Sequence, residues 1–403
     1  MKMGLKNILD FMNYYGIEYN KLKTVHIAGT NGKGSNSNII SQVMTANGYK
    51  TGMFTSPHLE RFNERIKIDN IEITDDDLSG YIKYFKEGIE KFNCTFFEAN
   101  TAIAFKYFLD KEVDIAVIEV GLGGRLDATN IITPLVSVIT GIDYDHQKQL
   151  GSSIVQIARE KAGIIKPGVP VVANFRRKPV QKVLRSVTKK KKSKLIIVKR
   201  SEYKFTNSKN GLFLEFNFKG NKLRPQINLK GRYQRDNLRT ALTALKIISR
   251  KFNIDPFKTA SALSSIYIKG RMETISDEPK VIIDAAHNIE GLSFLKNELE
   301  TSRCNTVHLV LGMVKDKDYE KALKYIAQFK AKKYFVEAGN KRMLDTVTMK
   351  NCRYLKNDRS AGYFRTPKEG YDAAVRSYRK GDVIIAAGSH FVLGDLLTEV
   401  KKI

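Results

Sequence analysis

Only three cysteines occur in 403 residues, Cys94, Cys304 and Cys352, far apart and odd in number. This excludes a disulfide scaffold and offers no paired, metal-type motif. It fits a reducing compartment, and the expected location is the cytoplasm. No apolar run approaches the length of a membrane span, so no membrane association is expected. The opening, "MKMGLKNILDFMNYYG", lacks the continuous apolar core of a signal peptide and reads as an amphipathic helix. Acid is scarce beside base, with 42 Asp+Glu against 69 Lys+Arg and a net charge of +27. Such a balance suits a nucleic-acid binder, the attraction of an anionic small substrate, or simple compositional bias. The densest run, "TKKKKSK" at 188–194, lies between a predicted helix and the strand "KLIIV", where a solvated loop is the plain reading. No aromatic interleaving and no RNP-like stretch accompany it, so nucleic acid is not the expected partner. There is no internal repeat and no long flexible linker.

What is present points to an α/β protein. The hydrophobic fraction of 42% is ordinary for a full globular core, and the length suggests two domains. From 24 to 172, strands and helices alternate. "TVHIAG", "TGMFTS", "VDIAVIEVG" and "PLVSVIT" are short, β-branched runs of the kind buried on both faces. "SNSNIISQVMTANG" and "TFFEANTAIAFKYFLDK" carry helical spacing. The alternation predicts a doubly wound parallel sheet. At 195–229 the strands "LIIV", "YKF", "GLFLEFNF" and "INL" read as an antiparallel appendage, followed by helices near 234–250 and 256–266. After "YIKGRMETI" the pattern restarts with "VIIDAA", "TVHLVLG", "KKYFVEA" and "DVIIAAG". The expected architecture is an N-terminal P-loop-type, doubly wound, mostly parallel sheet with a small antiparallel appendage. A smaller, Rossmann-like α/β domain follows it. The boundary falls within 266–274, giving domains 1–269 and 270–403.

"HIAGTNGKGS" (26–35) follows a strand and opens a helix. Its spelling departs from the common phosphate loop. Gly29 lies only four positions before Lys33, and Gly34 separates Lys33 from Ser35. Backbone N–H groups of Thr30, Asn31, Gly32, Lys33, Gly34 and Ser35 can still cradle phosphates at a helix start. Lys33 can reach outer phosphates, and the Ser35 hydroxyl can face a magnesium ion. The plain alternative is a Gly-rich turn before an ordinary helix. "EVGLGGRLDATN" (119–130) puts Glu119 at the C-terminal end of a parallel strand, on the ligand edge, as a candidate metal ligand. Asp127 is a candidate for orienting a substrate. His146 in "DYDHQKQLG" projects at the same edge, as a ligand or as a structural histidine. Lys161 stands on a helix, where one more lysine predicts nothing by itself. "GRMETI" and "VIIDAAHN" place Arg271, Asp284 and His287 at the start of the second unit.

Six stretches, "GTNGKGS", "FTSPHLERFNERI", "EVGLGGRLDATN", "AREKAGIIKPG", "GRMETI" and "DAAHN", together resemble the folylpolyglutamate synthase / dihydrofolate synthase family of the Mur-ligase superfamily. They keep the family's order over nearly the whole chain. The resemblance implies an ATP-dependent, amide-forming ligase that adds L-glutamate to dihydropteroate or to a reduced folate through an acyl phosphate. It implies that residues 30–35 hold the triphosphate and that Ser56 and Glu119 ligate one Mg²⁺, with Ser35 a weaker candidate. His146 is implied for a second Mg²⁺. Lys161 matches the lysine that the family carbamylates. Gln234, Asn237, Arg271 and Asp284 match the nucleotide site. Thr95, Phe96, Phe97 and Glu98, with Leu126, Asp127 and Ala128, match the pterin side. His287 lies where glutamate is expected. Lys33, Lys161 and His287 are thus the catalytic candidates. A monomer acting on small molecules is expected.

Three positions depart from the pattern: Tyr233 for His, Ala285 for Gly and Tyr144 for Leu. They spare the proposed ligating side chains, so altered affinity is expected and not loss of chemistry. The intact "LDA" favours dihydropteroate as a substrate, with polyglutamylation as a second activity. A dedicated polyglutamate synthase is the alternative. A peptidoglycan Mur ligase is disfavoured, because the 28 residues before Gly29 are too few for a UDP-binding domain. A nucleic-acid-dependent NTPase remains the rival from another class.

Overall fold

The β-branched runs assemble as strands of one large sheet. The structure is a computed structural model and describes residues 4–208, 211–301, 304–315 and 318–400. The first three residues of the N-terminal stretch, and Lys209 and Asn210 in the turn "NSKNG", lie outside the described residues. The chain divides into two compact units. The first comprises Met1–His58, Phe62–Asn228 and Gln234–Tyr267, and the second Leu59–Arg61, Leu229–Tyr233 and Ile268–Ile403.

In the first unit, eight strands lie in the order Ile71–Glu72, Ile66–Ile68, Thr51–Phe54, Ile115–Glu119, Thr24–Ala28, Val136–Ile139, Val171–Ala173 and Leu195–Ile197. The last six are parallel, and the first two add an antiparallel edge. Thr24–Ala28 is central, and all five of its residues are buried. Its register puts Ile27 beside Glu119 on one side and Val138 on the other. Helices cover the sheet. One apolar cluster joins Ile8, Phe11, Phe85, Phe105 and Phe108 to Ile118. Another joins Ile157, Ala158 and Leu184 to Ile139 and Val171. Full burial of each such large side chain contributes about 1.5–3 kcal/mol.

"LIIV", expected in the antiparallel appendage, belongs instead to the large sheet: Leu195–Ile197 pairs in parallel with Val171–Ala173. It follows the helix Lys178–Lys190, and a strand returning through a crossover helix lands parallel. The appendage itself is four-stranded, with Gly211–Phe218 pairing antiparallel to Tyr203–Ser208, Asn221–Leu223 and Gln226–Ile227.

The second unit holds six strands in the order Glu273–Asp277, Lys280–Asp284, Val383–Ala387, Val307–Leu311, Lys332–Val336 and Ala361–Phe364. All pairs are parallel except the first, a hairpin. The two edge strands escape the sequence reading because they are half-exposed and lack a continuous apolar run. Among the described residues no helix is long and apolar enough to cross a membrane.

Candidate active site

Strand Thr24–Ala28 turns through glycines into helix Lys33–Ala46. Gly32 stands before the first helical residue at φ 87°, in the left-handed region. A Cβ there would be strained and would also lie 2.3 Å from Oδ1 of Asn237. At Gly29 a Cβ would meet Thr140 Oγ1 at 1.7 Å. The loop is fastened to the next strand's loop. Thr30 N donates to Gly141 O at 2.7 Å, and Thr140 Oγ1 donates to Asn31 O at 2.7 Å. The Thr30 hydroxyl donates to Asp143 O and accepts from Asp143 N, each at 3.0 Å. The first N–H groups of a helix have no intrahelical partner, so a rigid loop at this point presents donors and a positive dipole end to an anion.

One buried carboxylate gathers the neighbouring groups. Lys33 Nζ stands 3.9 Å from Oε1 of Glu119, whose side chain is 4% exposed. Glu119 Oε2 accepts from Ser56 N at 3.4 Å, and a Cβ on Gly34 would touch the same oxygen at 3.5 Å. Lys161 is buried, and its Nζ donates to Gly29 O at 2.8 Å, at the root of the loop. His146 adopts φ 50°, uncommon for a residue with a side chain. Asp145 accepts from His146 N at 2.9 Å and lies 3.9 Å from its Nε2. Ser35 is buried within the first helical turn. Among the described residues no group of three His, Cys, Asp or Glu forms a metal cage. A Mg²⁺ that takes one or two protein groups and completes its shell with water and phosphate needs none, so this donor set fits that ion.

Behind the loop, Asn36 Nδ2 donates to Gly32 O at 2.8 Å and to Asn237 Oδ1 at 3.3 Å, and Asn237 Nδ2 donates to Gln234 Oε1 at 2.7 Å. Asn36 Oδ1 and Gln234 Nε2 stay buried without a hydrogen-bond partner among the described residues. Buried polar atoms rarely remain so, which marks this cluster as a place for a polar ligand or ordered water.

On the other flank, Thr95 and Glu98 form a capping box at the start of helix Phe96–Asp110. Thr95 N donates to Glu98 Oε2 at 2.7 Å, and Glu98 N donates to Thr95 Oγ1 at 3.2 Å. Phe96 is 63% exposed, and Phe97 packs against Phe54 and under Gly121. Arg65, absent from the sequence-based candidates, is buried with its guanidinium 5.5 Å from the Phe96 ring centre and 6.0 Å from that of Phe62. Its Nε donates to His58 Nδ1 at 2.8 Å. Burial lowers the Arg65 pKa, while Glu119 and Glu64 oppose that shift. The stretch "RFNERI" supplies only one of its two rings, Phe62, so the sequence carries little signal for this contact.

Asp127 serves its own loop. Its oxygens accept from Leu122 N at 2.9 Å, Thr129 N at 3.1 Å and Thr129 Oγ1 at 2.5 Å. Burial pushes this carboxyl up, and those hydrogen bonds pull against it. Ala128 is buried beside it and Leu126 partly so. Thr129 Oγ1 lies 2.8 Å from Nε2 of the fully buried His26, which ties the segment to the strand before the glycine loop.

In the second unit, Asp284 ends strand Lys280–Asp284. It accepts from Tyr233 OH at 2.8 Å, Met272 N at 2.9 Å and Ala286 N at 2.9 Å. Burial raises its pKa, chiefly against the Arg271 charge. Burial and then Asp284 push the Tyr233 hydroxyl well above its ordinary value. His287 Nδ1 lies 2.8 Å from Ala285 O. A carbonyl only accepts, so Nδ1 carries the proton. The glycine loop, Ser56, Glu119, His146, Lys161, Gln234 and Asn237 thus belong to the first unit, and Arg271, Asp284 and His287 to the second.

Comparison with known proteins gives a consistent picture. The Mur ligase middle domain matches residues 27–245, and the Mur ligase glutamate ligase domain matches 270–390. A folylpolyglutamate synthase of Lacticaseibacillus casei is 35% identical over 327 residues, 78% of this chain and 76% of the relative. A dihydrofolate synthase/folylpolyglutamate synthase of Bacillus subtilis is 29% identical over 420 aligned residues, 100% of this chain and 96% of its own. The structure of E. coli FolC in complex with DHPP and ADP superimposes with a TM-score of 0.89 at 25% identity, covering 100% of this chain and 94% of that one.

Proposed function

The chain belongs to the Mur ligase family, among its folylpolyglutamate synthases and dihydrofolate synthases, and from that premise we propose how it works. It is an ATP-dependent ligase that adds L-glutamate to dihydropteroate, to reduced folates, or to both. The observation that carries the mechanism is the glycine loop with Lys33 and Glu119 3.9 Å apart at its mouth.

The substrate carboxylate attacks the γ-phosphorus of ATP, ADP leaves, and an acyl phosphate forms. The α-amine of L-glutamate then attacks the acyl carbon, phosphate leaves, and the amide remains after loss of a proton. Lys33 and the loop N–H groups hold the phosphates and offset the charge that grows on the transferring group. Glu119 and the Ser56 hydroxyl are assigned to one Mg²⁺, with Ser35 as a further oxygen donor, and His146 to a second. Bound Mg²⁺ supplies charge neutralisation of the phosphates. Glu119 also orients Lys33.

Lys161 is proposed to be carbamylated. The modified nitrogen keeps one N–H, so the bond to Gly29 O survives while the new oxygens supply a hard, anionic ligand. Gln234 and Asn237, whose cluster leaves buried polar atoms unpartnered, are assigned to the nucleotide. Nδ1-protonated His287 offers Nε2 as an acceptor for the glutamate amine. Phe96 and Phe97 are proposed to pack on the pterin. Leu126, Asp127 and Ala128 shape the wall beside it, with Thr95 and Glu98 fixing the helix that presents the rings.

We favour dihydropteroate as a substrate, with polyglutamylation second. The test is mass spectrometry of products from MgATP, L-glutamate and either dihydropteroate or tetrahydrofolate. Glutamylated tetrahydrofolate with no product from dihydropteroate would make the protein a dedicated polyglutamate synthase.

A further inference from the structure

The loop that follows strand Val136–Ile139 braces the glycine loop, and it does so through an acid. The Asp143 main chain takes up both hydrogen-bonding roles of the Thr30 hydroxyl. Thr30 O in turn accepts from Lys33 Nζ at 3.4 Å. Asp143 thus holds the residue that holds the phosphate lysine, and its carboxylate stands close to a loop that presents donors to an anion. A negative charge there opposes a triphosphate. Arg177 answers it. Its Nη2 donates to Asp143 Oδ1 at 2.8 Å, and Tyr144 N donates to the same oxygen at 2.8 Å. Arg177 comes from another part of the sheet edge, between strand Val171–Ala173 and helix Lys178–Lys190. Its guanidinium carbon lies 5.5 Å from the Tyr144 ring centre, so the ring helps to hold the cation at the carboxylate.

We propose that Arg177 is a positioning residue for the nucleotide, acting through Asp143: it neutralises that carboxylate and keeps its charge from opposing the triphosphate. The inference rests on the ATP reading of the glycine loop above. The Arg177 side chain is 45% exposed and that of Asp143 22%, and a pair so open to water adds little to stability. Its effect therefore falls on affinity for an anion and not on the fold. The geometry also separates charge from brace. Thr30 bonds only the main chain of Asp143, and Tyr144 N needs only an oxygen acceptor. An asparagine at 143 keeps both and removes the charge.

The test uses the full chain and a fluorescent ATP analogue with Mg²⁺, titrated at low salt. Arg177→Gln should weaken binding about fivefold, and Arg177→Lys, which keeps the charge, should lose less. The double variant Asp143→Asn/Arg177→Gln should regain wild-type affinity, because no charge is left unanswered. Near 1 M salt, where screening acts within about 3 Å, the Arg177→Gln deficit should vanish. In turnover, Arg177→Gln should raise KM for ATP and leave kcat and KM for glutamate unchanged, with thermal unfolding as in the wild type. Unchanged nucleotide affinity in Arg177→Gln would overturn the proposal. So would a deficit that persists in the double variant, which would mean that Arg177 touches the nucleotide itself. Loss of the ligase reading would show separately, as no glutamate-dependent turnover of any folate, while the nucleotide titration still decides the role of Arg177.

Discussion

His26 offers a sharp test of how the site is held together. It is fully buried in the central strand, and its Nε2 lies 2.8 Å from Thr129 Oγ1. The Thr129 hydroxyl donates to Asp127, so His26 Nε2 is the donor in that pair. Nδ1 is then a buried lone pair with no partner among the described residues. A second proton would land on that nitrogen, away from water and from any acceptor. Burial and the Lys166 charge lower the pKa of His26 from 6.5 to about 3. The unfolded chain binds this proton near pH 6.5 and the folded chain only near pH 3, so the unfolded state gains as pH falls between them. The stabilisation is whole above pH 6.5 and declines by about 1.4 kcal/mol per pH unit below it. At pH 5 the loss is about 2 kcal/mol, or roughly 4–8 °C in Tm for a unit of this size. His26→Gln keeps an N–H for Thr129 and removes the titration. Thermal unfolding at pH 7 and pH 5 should show that extra drop in the wild type and not in the variant. Parallel drops in both proteins would refute the reasoning.

The metal assignment predicts that Glu119→Ala abolishes turnover, and that His146→Ala loses most of kcat and needs more Mg²⁺; near-wild-type rates for both at limiting Mg²⁺ would sink it. Lys161→Ala should be poorly active and regain part of its rate in acetate, which replaces the missing oxygen ligand. Full activity without acetate would remove the carbamate from the account. Asp127→Ala removes the acceptor for Leu122 N and Thr129, at about 1 kcal/mol or more of stability, and should impair dihydropteroate use more than tetrahydrofolate use. Steady-state kinetics with both substrates decides this, and equal impairment would leave Asp127 with a purely structural role.

What was legible in the sequence follows from locality. The glycine loop, Glu119 and His146 stand at the ends of strands that hydrophobic patterning marks plainly, so their shared edge follows from a parallel sheet. Thr95 and Glu98, expected on the pterin side, form a capping box in the structure, a local role the sequence reading did not assign. The Cβ space that Gly32 leaves for Asn237, and the bond from Tyr233 to Asp284, join residues remote in sequence, and no periodicity announces them. Leu195–Ile197 matches the appendage in composition, and only the preceding crossover helix reveals its direction. Arg65 was missed because buried cations are rare and its rings come from two separate stretches, Phe62 and Phe96.

The central claim is that a carboxylate is activated by phosphoryl transfer at the glycine loop. Substrate labelled with ¹⁸O in that carboxylate tests it directly. With MgATP and L-glutamate, the account predicts one labelled oxygen in each phosphate released, matched by one new amide in the product. Unlabelled phosphate, or phosphate release that does not depend on glutamate, would contradict it.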